Sequence, residues 1–353
     1  MTAIRRFGYD AVQSTNRPGA PDHLKRREFI SLLGGATLAW PFPAQAQQPN
    51  QVRRIGVLMG RAANDPEGQN QAAALRGGLE ELGWSSPRNV EIEFRWPAGD
   101  SVRARAQAKE LVDLPVDVIV ANSTPSLVAA RQATSAIPIV FVAIADPVAQ
   151  GFVQSLARPG GNITGFGAEE PSMGAKWVQL LNELAPRLGS ITVMFNPDSA
   201  PFARMFLPAM EVVRASSAFE LVISPVRSEN EIDRAIAATS GQQSGGLIAL
   251  PDSFLNSRHE MIVALTAKHH VPAIYSVSEF TRSGGLIAYG IERADLFRRS
   301  AVYLDRVLKG EKAADLPVQQ PTKFELVINL KTAKALGLDV PNTLLISANA
   351  VIE

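Results

Sequence analysis

Short apolar runs alternate with longer amphipathic segments along most of this chain. Residues 55–59 form an apolar run of strand length, and the segment that opens at Pro66 and continues to about Leu82 has apolar residues at helical spacing. A further strand pattern at residues 90–94 precedes a helix that Asp100 is expected to cap. Repeated strand–helix units of this length predict parallel sheets with right-handed crossovers.

The pattern is clearest at residues 117–127, where a buried strand turns directly into a helix. Residues 118–121 are apolar and mostly β-branched, which is typical of a strand. Pro125 suits the first helical turn, and Ser123 or Thr124 suits the N-cap. Unpaired backbone N–H groups and two hydroxyls therefore meet at the carboxyl end of a strand, where open α/β sheets bind ligands and a helix start favours an anion. A capped helix without any ligand is the alternative that this stretch leaves open.

The turn-rich residues 158–162 separate this first series of strand–helix units from a second one. The strand at residues 284–290 is expected to cross back to the first series, and residues 316–318 are expected to make a third crossing. We therefore predict an α/β protein of two doubly wound parallel-sheet lobes joined by a three-stranded hinge, with ligand bound between the carboxyl ends of the two sheets. The predicted N-terminal lobe comprises residues 52–163 and 289–316, and the predicted C-terminal lobe comprises residues 164–288 and 317–353.

Residues 1–46 have the features of a leader followed by a cleavable export signal. A basic region, a short apolar run at 29–40 and a terminal Ala-Gln-Ala are the three parts of such a signal. The paired Arg26 and Arg27, followed by Glu-Phe-Ile, resemble the twin-arginine export motif. We expect export to the periplasm by that route, with cleavage near Ala46. A buried N-terminal helix is the alternative, which the proline-containing break after the apolar run disfavours.

The composition of the chain excludes several classes of function. The 353 residues are 46% hydrophobic and 20% charged, which describes a soluble chain long enough for two domains. Lys and Arg number 35 and Asp and Glu number 34, so the chain has no basic footprint for nucleic acid. With no cysteine, four histidines and no phosphate-binding glycine motif, we predict no enzyme activity, no catalytic residue, no metal and no cofactor.

The most specific motif is the C-terminal block, which runs from Phe-Glu-Leu-Val-Ile-Asn-Leu at residues 324–330 through Lys-Thr-Ala-Lys-Ala-Leu-Gly-Leu-Asp-Val-Pro to Leu-Leu-Ile-Ser-Ala-Asn-Ala-Val-Ile-Glu. It resembles the C-terminal signature of the ABC-transporter substrate-binding proteins of the TrpX-like family. Shorter blocks that agree with the same pattern lie at residues 54–58, 78–83, 146–148 and 159–165. The resemblance covers about residue 52 to the end, with Ser347 and Asn349 standing where the family more often has charged residues.

The resemblance implies a type I periplasmic binding-protein fold. It also implies a function as the periplasmic substrate-binding component of an ABC importer, which captures a small solute such as an amino acid or related carboxylate between two lobes. Some members of the family are associated with aromatic amino acids. The implied partners are a small-molecule ligand and the permease subunits at the inner membrane, and we expect a monomer. An exported enzyme or ligand sensor on the same clamshell is the alternative. A sugar-binding regulator of related fold is opposed by the lack of an N-terminal helix-turn-helix.

Five residues of the first series are expected to contact the ligand. Ser123 and Thr124, with the amides that follow them, are expected to anchor a carboxylate or another anion, beyond capping the helix. Gly60 and Arg61 line the first loop, with Arg61 as a second partner for a carboxylate. Asp146 follows a strand and precedes a proline, so it either receives a ligand ammonium or only caps a helix.

Four further residues complete the predicted ligand set. Asn196 ends a strand before a proline and either offers an amide to the ligand or serves as a turn residue. Asp252 has the corresponding position in its own strand–helix unit. Tyr275 ends a strand and is expected to stack on the ligand or to bond with it, although a core tyrosine is the alternative. Tyr289, in the strand of the second crossing, is the last of the four.

Overall fold

The computed structural model describes residues 52–241 and 244–353. The leader and export signal predicted at residues 1–46 lie outside the described residues. Strands and helices alternate along most of the described chain, as the hydrophobic pattern predicts. Within the described ranges, no helix combines the length and the apolar character needed to cross a membrane.

The strands β1 to β12, in chain order, are Arg53–Leu58, Val90–Arg95, Val118–Asn122, Ile139–Ile144, Ile163–Gly167, Ser190–Phe195, Glu220–Pro225, Gly245–Ala249, Ala273–Tyr275, Ile287–Ile291, Phe324–Asn329 and Ala350–Ile352. The helices α1 to α12 are Pro66–Glu81, Ser101–Asp113, Thr124–Ala133, Met173–Leu184, Leu207–Arg214, Glu229–Gly241, Ser253–Asn256, His259–Lys268, Ser278–Arg282, Arg293–Leu308, Leu330–Ala335 and Asn342–Ser347. Short 3₁₀ turns lie at Ala203–Phe206 and Ala313–Asp315.

The first five strands form one parallel sheet in the order β2-β1-β3-β4-β5. Strands β3 and β4 are buried along their whole length, which is why their apolar residues run without interruption. Helices α1 and α10 cover one face of this sheet, and helices α2 and α3 cover the other. Because the strands are parallel, the loops that follow β1, β3 and β4 meet at the same edge.

The remaining seven strands form the second sheet, in the order β12-β11-β10-β9-β8-β6-β7. Its neighbours are parallel except for the antiparallel pair of β10 and β11. Helix α4 packs on one face, and helices α6 and α8 pack on the other. Each sheet therefore has its own core and helices on both faces, which confirms the predicted fold of two doubly wound lobes.

The chain passes between the two sheets three times, each time a few residues later than the sequence predicts. Strand β5 pairs with β4 in the first sheet, so the first crossing follows residue 167 instead of residue 163. Strand β10 pairs within the second sheet, so Tyr289 lies in the second lobe and not the first. Gln319 still pairs with Phe166 of the first sheet, which moves the third crossing beyond residue 319. The predicted boundaries are corrected because turn-rich sequence marks where a strand begins, but not which sheet the strand joins.

Candidate ligand-binding site

A pocket lies where the carboxyl ends of the two sheets face each other. Its walls come from the ends of β1, β3, β4 and β5 in the first lobe and of β6 and β8 in the second, together with the start of α10. This is where the strand–helix pattern predicts a ligand. The lining residues are Gly60, Arg61, Asn122, Ser123, Thr124, Ala143, Glu169, Ser199, Phe202, Pro251, Asp252, Ser253, Asn256 and Arg293.

The start of helix α3 forms one wall of the pocket. Ser123 precedes the helix with φ of +89°, and its Oγ accepts a hydrogen bond from the backbone N–H of Ser126 at 3.4 Å. The Ser123 hydroxyl also donates to the Ser126 hydroxyl at 3.0 Å, and Ser126 donates to the carbonyl of Met59 at 3.3 Å. Because the N-cap bond is long, this chain of hydroxyls contributes to holding the turn in place.

Asn122 joins the ends of three neighbouring strands beneath that wall. Its Oδ1 accepts a hydrogen bond from the backbone N–H of Gly60 at 3.2 Å, and its Nδ2 donates to the carbonyl of Val142 at 3.0 Å. A Cβ atom at position 60 would lie 2.8 Å from the Cβ of Ser123. Glycine is therefore required at position 60, since the two loops approach each other too closely for any side chain.

Arg61 is held between two carboxylates and connects the two lobes. One terminal nitrogen donates to Asp65 at 3.0 Å, and the other donates to Glu279 in α9 of the second lobe at 2.5 Å. Burial opposes the charge of Arg61, but the attraction of Glu279 and Asp65 outweighs it, so the pKa of the guanidinium is raised. Arg61 lines the pocket, yet both terminal nitrogens are engaged. Its role as a partner for a ligand carboxylate therefore stays a prediction.

Asp252 forms part of the opposite wall and is almost fully buried. It accepts hydrogen bonds from the backbone N–H of Phe254 at 2.7 Å and from the hydroxyl of Ser199. The backbone N–H of Asn196 also donates to it. Burial raises the pKa of Asp252 to about 6, although these hydrogen bonds favour the ionised form. The Asn196 side chain accepts from the backbone N–H of Asp198 at 2.8 Å, so it shapes the loop beside the pocket and does not line it.

The hinge supplies a second ion pair. Glu169 follows β5, Arg293 opens α10, and their side chains meet at 2.9 Å with little exposure. The Nε of Arg293, the hydroxyl of Ser253 and the Oδ1 of Asn256 are buried without a hydrogen-bond partner. Leaving buried polar atoms unpaired is costly. These three atoms therefore mark positions where a polar ligand would form hydrogen bonds.

Carboxylates outnumber guanidinium groups around the pocket. The charged side chains that line it, with their direct ion-pair partners, are Arg61, Asp65, Glu169, Asp252, Glu279 and Arg293. This excess favours a cationic group such as an ammonium, whereas the start of α3 favours an anionic one. A zwitterionic ligand carries both charges and therefore suits both parts of the pocket. Among the described residues, no group of three or more His, Asp or Glu side chains is arranged to hold a metal ion.

Besides Asn196, three predicted ligand residues lie outside this pocket. Asp146 accepts a hydrogen bond from the backbone N–H of Ala149 at 3.0 Å and lines a neighbouring groove. Tyr275 is 1% exposed, with its ring stacked on Phe280 at 4.4 Å between centroids. Tyr289 lines a separate depression on the second lobe. The structure therefore places both tyrosines away from the pocket: Tyr275 is buried in the core of the second lobe, and Tyr289 is part-buried and stacks on Phe324.

Several pocket residues were missed by sequence reasoning. Three of them are Asn122, Ser199 and Ser253, and each lies within three residues of a predicted site residue. The rule that ligand residues follow the carboxyl end of a strand could therefore have found them. Glu169 and Arg293 lie 124 positions apart at two hinge crossings. No local pattern relates them, and only the fold brings them together.

A sequence profile of the family described as ABC transporter substrate binding protein matches residues 64–352. The chain belongs to this family. This substrate-binding protein is 29% identical over 261 residues to a tyrosine-binding protein from Clostridioides difficile, an alignment that covers 74% of each chain. The resemblance of the C-terminal block to this family of substrate-binding proteins is thereby confirmed.

Two solved structures are similar to this substrate-binding protein over most of its length. The ABC domain in complex with L-Trp from Streptococcus pneumonia is 26% identical, with a TM-score of 0.78 over 85% of this chain and 99% of that chain. A ligand-free, open substrate binding protein with adhesive properties from Clostridium difficile has the same identity and coverage but a TM-score of 0.63. At equal identity, this chain is therefore more similar in structure to the complex than to the open, ligand-free protein. The type I periplasmic binding-protein fold is confirmed.

Proposed function

We propose that this substrate-binding protein captures a free amino acid between its lobes and delivers it to an ABC permease. The observation that carries this proposal is the pairing of an acidic pocket with a helix N-terminus. The carboxylate excess suits the ligand ammonium, and the Ser123–Thr124 end of α3 suits the ligand carboxylate. The names of two relatives, a tyrosine-binding protein and a complex with L-Trp, support an amino-acid ligand.

Capture by lobe closure follows from the position of the pocket. Residues of both lobes line it, and Arg61 reaches across to Glu279. A ligand that bonds to both walls binds the closed arrangement better than the open one, so it shifts the population toward closure. The unpartnered atoms of Ser253, Asn256 and Arg293 gain hydrogen bonds at the same time.

The proposal includes export and a transport role without chemistry. The family consists of substrate-binding proteins, which are typically extracellular or periplasmic. We propose export of this chain by the twin-arginine route, cleavage near Ala46, and work as a monomer beside its permease. The intact mass of protein recovered from the periplasm tests the cleavage position, and its sedimentation tests the monomer. An exported enzyme is the alternative, and recovery of the ligand unchanged after prolonged incubation with the protein would oppose that alternative.

In a thermal-shift screen across amino acids, purines, sugars and small carboxylates, we expect amino acids to raise the melting temperature of the protein. Ligand at about 100 times Kd stabilises a protein by about 2.7 kcal/mol, which is readily measured. Calorimetry should then show one ligand per chain. The matched controls are the N-acetyl and the amide forms of the same amino acid, each of which lacks one charge and should bind at least 10-fold more weakly. Absence of any shift with every amino acid at millimolar concentration would contradict the proposal.

Replacing Ser123 by alanine is expected to weaken both the fold and amino-acid binding. Loss of an N-cap costs about 1 kcal/mol of stability, and loss of one ligand hydrogen bond costs about 10-fold in affinity. Denaturant unfolding and calorimetry measure the two effects. Ser228→Ala is the matched control, because Ser228 caps α6 by accepting from Glu231 N–H at 3.3 Å and does not line the pocket. If Ser123→Ala and Ser228→Ala both lose stability with unchanged affinity, Ser123 is a cap only.

A further inference from the structure

The loop that joins strand β2 to helix α2 reaches from the first lobe to the second. It comprises residues 96–100, and Gly99 within it lies against the start of helix α7. A Cβ atom at position 99 would lie 3.2 Å from the carbonyl oxygen of Ser253 and 3.6 Å from the backbone nitrogen of Phe254. Both of these atoms belong to the backbone of the second lobe, so no side chain can move aside. Any residue other than glycine would therefore have to shift the start of α7 or one whole lobe.

The tip of this loop has a backbone conformation that a free chain disfavours. Ala98 and Gly99 have φ of +56° and +76°, so two successive residues are in the left-handed region. An L-residue such as Ala98 adopts that region at a cost, and it stays there only where the surroundings hold it. Two backbone hydrogen bonds do so, from Ala98 N–H to the carbonyl of Arg61 at 3.3 Å and from Asp100 N–H to the carbonyl of Pro97 at 3.1 Å.

The stem of the loop packs onto the first lobe. The ring of Trp96 is stacked on that of Phe94, with 5.7 Å between the centroids. The Trp96 ring also approaches helix α1, where a Cβ atom at Gly68 would lie 3.0 Å from it, and the guanidinium of Arg76 lies over Phe94 at 4.5 Å. We therefore expect the loop to move with the first lobe as one body whenever the lobes move relative to each other.

The segment that Gly99 contacts carries ligand-facing groups of the second lobe. Asp252 lines the pocket and caps α7 by accepting from the Phe254 N–H at 2.7 Å. Ser253 and Asn256 line the pocket in the same helical turn, and each has a buried polar atom with no partner among the described residues. Because Gly99 lies against the first peptide of α7, its contact bears on the position of all three side chains.

Opening of the lobes is expected to break this contact, because Gly99 and Ser253 belong to different lobes. The loop is also joined to the other cross-lobe contact of this region. Arg61, whose carbonyl accepts from Ala98, pairs with Glu279 of the second lobe at 2.5 Å. We therefore expect the loop contact and the ion pair to form and to separate together.

We propose that Gly99 is a positioning residue for solute capture, and that residues 96–100 form a strap that lies on the start of α7 in the closed protein. The strap holds Asp252, Ser253 and Asn256 toward the pocket, so solute binding and the strap contact stabilise the same arrangement of the lobes. This role goes beyond amino-acid capture and is independent of the chemical class of the solute. A glycine that only permits the turn is the alternative, and it predicts an effect on stability alone.

Gly99→Asn tests the proposal, with Gly83→Asn as the matched control. Asparagine tolerates the left-handed region, so both variants retain their turns. Gly83 follows α1 with φ of +87°, and no described atom lies within 4 Å of a Cβ atom at that position. The probe is L-tryptophan, the amino acid bound by a relative of this chain. In calorimetry we expect Gly99→Asn to weaken tryptophan binding by about 10-fold, because the added side chain keeps the lobes apart, and Gly83→Asn to weaken it by less than about 2-fold.

Small-angle scattering of the ligand-free variants gives a second readout, in which Gly99→Asn should be the more expanded. The melting temperatures of the two variants should fall by similar amounts, since both replace a glycine at positive φ. Gly99→Ala adds a single atom, should lose less affinity in the same direction, and replaces Gly99→Asn if that variant does not fold. Equal affinity and equal radius of gyration for the Gly99 and Gly83 variants would overturn the proposal. If the parent itself does not bind L-tryptophan, that result bears on the proposed function, and the scattering comparison still decides the role of the strap.

Discussion

Replacing Glu279 by glutamine is expected to weaken ligand binding by about 10- to 100-fold. Glu279 in the second lobe pairs with Arg61 in the first at 2.5 Å, and their side chains are only 12% and 5% exposed. Loss of one partner of a buried pair costs about 3–5 kcal/mol, and the retained hydrogen-bonding capacity of glutamine reduces that figure. Because Arg61 and Glu279 belong to different lobes, we expect the pair to separate when the lobes open, so that the cost falls on the closed arrangement. The variant therefore populates the open form more, and affinity falls in proportion.

Calorimetry measures this loss, and small-angle scattering of the ligand-free protein measures the shift toward the open form. Glu260→Gln is the matched control, since Glu260 is an exposed carboxylate on α8 of the same lobe. It should leave both readouts unchanged. Glu279→Gln with affinity within 2-fold of the parent would show that the ion pair does not hold the lobes together.

Acidification from pH 7 to pH 5 is expected to weaken binding of an amino acid about 10-fold through Asp252. Burial raises the pKa of this carboxyl to about 6, so it is mostly ionised at pH 7 and mostly protonated at pH 5. We propose that Asp252 receives the ligand ammonium, which only its ionised form attracts. The ammonium and carboxylate of an amino acid do not titrate in this range. The fraction of ionised Asp252 therefore sets the affinity, and calorimetry at several pH values measures it.

The stability of the ligand-free protein should respond to Asp252 in the opposite direction. Because its folded pKa lies above the unfolded value of 3.8, the folded state binds more protons between about pH 4 and pH 6. Its contribution to the free energy of unfolding therefore falls as pH rises through that window, by about 3 kcal/mol at most.

Asp252→Asn removes both pH dependences, whereas Asp233→Asn, at an exposed position on α6, retains them. The quantity to compare is the difference between each variant and the parent, since other carboxylates titrate in the same range. If Asp252→Asn keeps the parent's pH dependence of affinity, then Asp252 does not receive the ammonium.

The sequence determined the elements and the edge at which the site lies. Helix α1 begins at Pro66 as predicted, Asp100 caps the helix that its position predicts, and β3 runs directly into α3 at Ser123. These features depend on neighbours within a few residues, so hydrophobic period and cap chemistry are sufficient to find them. Since all strand ends of a parallel sheet meet at one edge, the order of strands and helices is enough to assign the loops that carry Gly60, Ser123 and Asp252 to the pocket.

Only the tertiary structure decided which side chains meet there. Tyr275 and Asp252 both stand at the end of a strand pattern, yet Tyr275 packs into the core, because β9 is covered on both faces. The two-residue period of a strand does not tell which of its end residues turns toward the pocket. Arg61 pairs with Glu279 across 218 positions of sequence, and Glu169 pairs with Arg293 across 124. Such pairings arise from the mutual position of the two lobes. That position is set by the hinge and by closure, and no local pattern of residues encodes it.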